Sequence, residues 1–504
     1  MAHSPSSRLR PVGAGVVSWS LLGLLVGASP SWATVPDLYG PGVQALGRGG
    51  GGVAFVADGT ATVLNPAGLH GLRRPTLQLS FTTAHPSFTP PPPLWWDTNR
   101  DGVVDARDPP LELPANATPH HGFHLAMGRQ IGDRFSLGLN VHVPTNMLFR
   151  LNTLEPDLPS YIRFTNRPMR YTMAIGLGGE VVPGLRIGAS LDVVPKVRFS
   201  TALTADIAAR PPESEDDDLG ALIGDAVIDI HEIKLDIIPA VAPIVGVQLD
   251  FGRWWDPLDG LMLGASWRGR TGVPIDAELD VQANLRATDI GDLEPFIMAA
   301  VIDARLFLFD HFVPMRVDVG ASYHYQPWVR VHADMRWTQW SAMLQPVARI
   351  RDATLQTPLF DLGDTIRDGN RHWVDVRDTV SVRSGVELVP LDKELANRFR
   401  YVRLHTALGG GYEPTPLVSQ GRNSAFLDAD RWWLSAGLGV ETWDPLKLVD
   451  GALRFDLGVQ LHRFVAAVLP RNSVEPRAGF TRDGSPLAIE GGVIVFGAGF
   501  GFEY

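Results

Sequence analysis

Residues 493–504 read VIVFGAGFGFEY, and their alternation decides the fold. Ile494, Phe496, Ala498, Phe500, Phe502 and Tyr504 fall on one face of a strand, and Gly497, Gly499, Gly501 and Glu503 on the other. Successive strand side chains point to opposite faces. Aromatics on one side and glycines or a carboxylate on the other fit a strand with lipid outside and a polar or crowded lumen inside. The alternative, the last strand of a soluble sandwich, would seldom collect so many aromatics on one face. The Gly-x-x-Φ-x-Φ ending carried by Gly499, Phe502 and Tyr504 predicts a partner in the outer-membrane assembly machinery.

The same alternation recurs upstream. It predicts strands at 76–84, 121–129, 133–143, 169–180, 185–199, 240–251, 261–282, 314–325, 328–340, 379–389, 401–412, 432–443, 452–463 and 489–504, an even set of fourteen. Connections after the even-numbered strands are short: GRQIGDR, VVPG, GRWWDPLDG, QP, a charged turn at Asp392, Lys393 and Glu394, and WDPLKLVDG. Those after the odd-numbered strands are long, roughly 20 to 45 residues, the asymmetry of outer-membrane barrels with their turns toward the periplasm. The reading is therefore all-β: a 14-stranded antiparallel transmembrane β-barrel, multi-pass, in the bacterial outer membrane with its lipid and lipopolysaccharide.

Composition agrees. The 504 residues are 45% hydrophobic with 52 Gly and 40 Pro, and the mean hydropathy is +0.03. Yet beyond the N-terminus no apolar run reaches the ~20 residues of a spanning helix. The lack of Cys excludes a disulfide scaffold, a thiol nucleophile and any Cys-ligated metal. A net charge of -11 leaves no basic excess for nucleic acid.

Residues 1–33 read as a secretory signal. Arg8 and Arg10 form the basic region, Val12 to Ala28 the apolar region, and Ser31-Trp32-Ala33 a cleavage site. An uncleaved N-terminal anchor is the alternative. Two long loops show helix-like spacing, one through Leu219, Leu222, Ile223, Ala226, Val227 and Ile230, the other over 293–308. Packed on the barrel rim they are structural. Packed as a pair, Leu222, Ile223, Val227, Phe296, Ile297 and Val301 would line a groove for a hydrophobic ligand.

The first loop, 85–120, contains WWDTNRDGVVDARDPP. Asp97, Asn99 and Asp101 take positions 1, 3 and 5 of an EF-hand-type loop, and Gly102 takes the sharp turn. Val103 offers a backbone carbonyl, Asp105 sits at position 9 and Asp108 at 12. Oxygen donors at this spacing suit a structural Ca2+ ion, with a plain solvated acidic loop as the alternative. His120 and His124 share a strand face but lack an acidic partner at ligand spacing, which argues against zinc. Gly-x-Ser-x-Gly does not occur, so a lipase reading has no motif and the chain reads as a non-enzyme. Trp254, Trp255, Trp328, Trp340, Trp432 and Trp433 lie near strand ends and suggest an interfacial girdle.

Residues 37–72 read DLYGPGVQALGRGGGGVAFVADGTATVLNPAGLHGL. Ala45-Leu46-Gly47 with its glycine run, Ala54, Ala57, Asp58 and Asn65-Pro66-Ala67-Gly68 resemble the N-terminal segment of the FadL/TodX family of outer-membrane transporters for hydrophobic compounds. Further elements follow in the family's order: VHVP, Gly188, Gly264, Gly320, Asp334, WTQWS, LGGGYEPTP and FLDADRWWLSAGLGV. The resemblance implies a fourteen-stranded barrel over 76–504 with residues 34–75 folded into the lumen as a hatch. It also implies passive uptake of hydrophobic small molecules such as long-chain fatty acids or hydrocarbons. In the hatch, Asn65 can bond nearby backbone, Pro66 fixes φ, Ala67 follows, and Gly68 is free to take positive φ. That turn either anchors a gate or merely caps a short helix. The mature N-terminus and the first loop depart from the family pattern, so ligand preference does not transfer. A non-transporting barrel, an adhesion or secretion-scaffold protein, is the rival reading.

Overall fold

The terminal segment whose alternation is so regular pairs antiparallel along its whole length with the first strand, from Thr76 opposite Glu503 to Phe88 opposite Gly491, and so closes a barrel. The computed structural model describes residues 38–90, 119–145, 160–161, 171–209, 223–287, 296–343, 349–356, 361–362, 375–394, 401–418, 426–443, 451–469 and 487–504. The barrel strands are β1 (Thr76–Phe88), β2 (His120–Ile131), β3 (Phe135–Pro144), β4 (Thr172–Val182), β5 (Leu185–Ala209), β6 (Ile223–Asp250) and β7 (Leu261–Arg268). They continue as β8 (Arg316–Gln326), β9 (Val329–Thr338), β10 (Thr379–Glu394), β11 (Tyr401–Glu413), β12 (Arg431–Trp443), β13 (Ala452–Phe464) and β14 (Gly491–Glu503). Each pairs with its neighbours in order, giving a closed 14-strand antiparallel barrel.

Burial is inverted relative to a water-soluble protein. Outward positions such as Leu79, Phe123, Ile187, Leu191, Phe455 and Phe496 are exposed, while inward Ser80, His124, Asn140, Ser190, Gln248 and Gln460 are buried. This is the pattern of a barrel spanning a bilayer, and a closed, even-numbered barrel with an apolar outer belt belongs to the bacterial outer membrane. Phe455 lies opposite Phe500 in the β13–β14 ladder, with ring centroids 4.8 Å apart. Cross-strand aromatic pairs of this kind stabilise neighbouring strands by about 0.2–1 kcal/mol each.

Three expectations need correction. The strand expected over 261–282 ends in the barrel at Arg268, and Thr271–Ala287 is a separate strand that leaves the wall. Asp392 is not in a turn, because β10 runs on to Glu394, which pairs with Tyr401. The two loop helices are strands instead: Ile223 opens the 28-residue β6, and Phe296–Val313 is one 18-residue strand. Ile228, Ile230 and Ile233 explain the first case, since β-branched residues at near-alternate positions favour a pleated surface over a helix. Leu222 lies outside the described residues.

These strands build an arm at the long-loop end. There β6 pairs with β5, β5 runs parallel to Thr271–Ala287, and that strand pairs with Phe296–Val313 and it with Arg349–Gln356. Within the barrel, residues 38–75 fold as a luminal segment. It has a short helix α1 (Gly42–Gly47), a single turn α2 (Ala61–Leu64) and a 3-10 turn Pro66–Gly71.

Candidate functional site

The luminal segment has almost no ladder of its own, so its backbone groups must find partners elsewhere. The barrel wall supplies them from single inward side chains. Gln460 Nε2 on β13 donates to Tyr39 O at 3.1 Å and Leu46 O at 2.7 Å. Trp433 Nε1 on β12 donates to Gly49 O at 3.1 Å, and Ser435 Oγ to Gly47 O at 2.9 Å. On the far side of the lumen Gln248 Nε2 donates to Val56 O at 3.2 Å and Ser190 Oγ to Thr62 O at 2.6 Å. In the opposite sense, Asp334 Oδ2 on β9 accepts from the Gly52 amide at 2.6 Å.

Asn65, Pro66, Ala67 and Gly68 sit at the centre of this network. Asn65 is wholly buried, and its Oδ1 accepts from Ala67 N at 3.2 Å, capping the 3-10 turn that Pro66 starts. Its Nδ2 donates to Val53 O at 2.8 Å and to Val247 O on β6 at 3.0 Å. The residue therefore caps a helical turn and ties it to the wall. Gly68 corrects an expectation: it is absent from the described positive-φ glycines. It is needed for closeness, since a Cβ there would overlap Val56 O. The wall has matching gaps, because a Cβ on Gly188 would strike Pro66 and one on Gly246 would strike Asn65.

Charge surrounds the segment. Toward the arm, Asp192 pairs with Arg268, and Asp318 with Arg316 at 3.3 Å and Arg336 at 2.5 Å. Arg431 Nε donates to Glu413 at 2.9 Å, and the buried Arg383 lies over the Trp433 ring at 5.9 Å. Leu38, Pro41, Val63 and Leu64 of the segment and Asp192, Arg268, Arg316, Arg336 and Arg383 of the wall line a cavity of only about 20 Å³. Toward the short turns the lumen opens into a vestibule of about 520 Å³ lined by Arg48, Arg330, Glu387, Arg403, Arg454 and Asp456. Arg48 bridges to Glu387 at 3.3 Å, and Arg330 covers Phe55 at 4.4 Å. The vestibule is the larger of these two spaces, and its wall is mixed, since Phe55, Val56, Trp328, Val329, Leu388 and Leu438 line it beside the charged groups.

The sequence-predicted groove is not assembled as a facing helix pair. Ile223 and Val227 lie on β6, and Phe296, Ile297 and Val301 on the strand Phe296–Val313, with two strands between them in the arm. The loop holding Asp97, Asn99, Asp101, Val103, Asp105 and Asp108 lies outside the described residues, as does the segment 1–33. Trp254, Trp255, Trp328 and Trp432 are exposed and fit a girdle, but Trp340 and Trp433 are buried. Trp433 stacks on His462 at 5.6 Å inside the lumen. His124 serves the wall, bonded to Asn140 Oδ1 at 3.0 Å. The gripping residues Gln248, Gln460 and Ser435 were not singled out from sequence. Their one signal is a polar side chain at an inward strand position.

No protein-family model and no curated protein matches the sequence. Among solved structures, the chain is similar to a FadL homologue of Pseudomonas aeruginosa at 15% identity and a TM-score of 0.55, covering 95% of this chain and 99% of that one. This establishes a shared fold. Weaker likenesses, at TM-scores of 0.45 and 0.46 and 14% identity, extend to the toluene transporters TbuX of Ralstonia pickettii and TodX of P. putida, each covering 93% of this chain and 100% and 99% of the other.

Proposed function

We propose that this barrel, which has the fold of a FadL homologue, carries hydrophobic small molecules such as long-chain fatty acids or hydrocarbons passively across the outer membrane. The observation that supports it best is the grip on the luminal segment. A short chain lies in the lumen, packed in small apolar clusters and held to the wall through separate side-chain bonds, and bonds of that kind can be exchanged one at a time. Each contributes about 0.5–1.5 kcal/mol net, so releasing a few is within reach of ligand binding. The driving term is partition: an alkyl chain leaving water gains about 0.8 kcal/mol per buried CH2. Neither ATP nor a cofactor enters the step. Residues 34–75 act as the hatch, residues 1–33 direct export, and a Ca2+ ion orders the loop at 97–108; the sequence patterns support these three points.

Uptake of radiolabelled oleate by cells lacking or expressing the chain tests the reading. Faster uptake with the chain is expected. Equal rates would favour a non-transporting adhesion or scaffold barrel.

A further inference from the structure

The inward row of the wall toward the arm carries more positive charge than its carboxylates answer. Arg268 on β7, Arg316 on β8, Arg336 on β9 and Arg383 on β10 meet around the cavity of about 20 Å³. All are buried, with between 4% and 8% of their surface exposed. Strand register even sets Arg316 directly opposite Arg268, a placement that like charges disfavour. Carboxylates of the row answer only three of the guanidinium groups. Asp192 takes Arg268, and Asp318 takes both Arg316 at 3.3 Å and Arg336 at 2.5 Å.

Arg383 is left over. Asp334 lies opposite it in the β9–β10 ladder, yet that carboxylate is turned to the Gly52 amide at 2.6 Å. Glu413, also within the field of Arg383, accepts from Arg431 Nε at 2.9 Å. Among the described residues Arg383 makes no hydrogen bond and no ion pair. Its one contact is the Trp433 ring, whose centre is 5.9 Å away, near the outer limit of a cation–π contact. A second donor lining the same cavity is also unused: Asn140 Nδ2 is buried and has no hydrogen-bond partner. Burying a charge without a partner is strongly unfavourable, and a water molecule would bond these donors without neutralising the guanidinium.

We propose that the cavity is a halide site, in which one chloride ion accepts from Arg383 and Asn140. Size selects the ion. Roughly 10–15 Å³ is needed for one water-sized occupant, so about 20 Å³ admits a single such group. Sulfate, phosphate or a carboxylate carrying an alkyl chain does not fit while Leu38, Val63 and Leu64 of the luminal segment close the other side. The ion also bears on the plug. Arg316 Nη2 donates to Val63 O at 3.3 Å, so a chloride that balances the arginine cluster steadies one of the groups tying α2 to the wall.

Bromide, which replaces chloride and scatters anomalously, is the probe. Crystals of the whole barrel grown in sodium bromide should show an anomalous peak in this cavity, and crystals of Arg383→Gln should not. In detergent, the heat-unfolding midpoint read from gel migration should rise as sodium bromide replaces sodium gluconate at constant ionic strength, because a ligand of the folded state stabilises it by mass action. Gluconate is a carboxylate too bulky for the cavity. Arg383→Gln should lose this rise, while effects of bromide on the protein surface at large would persist in both proteins. A bromide map with no peak in the cavity, or an equal rise in parent and variant, would overturn the proposal. If Arg383→Gln does not fold, the bromide map of the parent decides.

Discussion

The Asp334 carboxylate on β9 holds the amide of Gly52 at 2.6 Å, across 282 residues of sequence. Gly52 sits at φ +125°, a conformation open to glycine, so the carboxylate grips the luminal segment where its backbone makes a turn that few other residues could make. Asp334→Ala should leave that amide unsatisfied at a cost of about 1–3 kcal/mol. The expected result is a leakier barrel with more frequent channel openings in planar bilayers. Asp334→Asn keeps a carbonyl acceptor and should restore the quiet state. Equal conductance in all three would show that the contact does not hold the plug.

Deleting residues 45–68 removes the second half of α1, all of α2 and Asn65-Pro66-Ala67-Gly68 while leaving every barrel strand. The barrel should still fold and should conduct ions steadily, while selective uptake of hydrophobic substrate falls. A deletion protein as silent as its parent would mean that something else blocks the lumen, and the hatch role would have to be abandoned.

Gly188→Val tests the gap in the wall that admits Pro66. The new side chain has no room there, and overpacking of this kind costs roughly 1–3 kcal/mol. The barrel ladder should survive, so the expected readout is protease cutting within residues 45–68 of a barrel that still migrates as folded. Protection equal to that of the parent would show that the wall yields instead.

Calcium binding by the first loop rests on sequence spacing alone. Asp97→Ala together with Asp101→Ala removes two of the oxygen donors and should abolish Ca2+ binding measured by calorimetry, without impairing membrane insertion. Unchanged affinity would leave a solvated acidic loop.

Barrel strands such as β14 and β13 were legible because lipid outside and polar groups inside write period two directly into the chain. The arm was misread because a 12-residue window through Val227 and Ile230 satisfies helical spacing as well. Only the longer run through Ile233 and Leu235, at strand period, separates the two. The turn at Asn65 was legible as a turn from its own four residues. Its grip on Val247, like that of Gln460 on Tyr39, joins positions 182 and 421 residues apart. Such partners are set by strand register around the whole barrel, which no local pattern encodes.

The pairing of β1 with β14 orders events in time. The lip of the barrel nearest the luminal segment in sequence is joined only when the last strand arrives, after some 400 residues of wall have been laid down. Until then both lips are unpaired edges that invite pairing with other chains, and a seam this distant in sequence is slow to find. The luminal segment is tethered to one of those lips from the start. It is therefore enclosed rather than threaded, as the wall curls round it and shuts. A variant that weakens the sockets should show its defect during this assembly, as barrels sealed around nothing, before any defect in the finished protein can be measured.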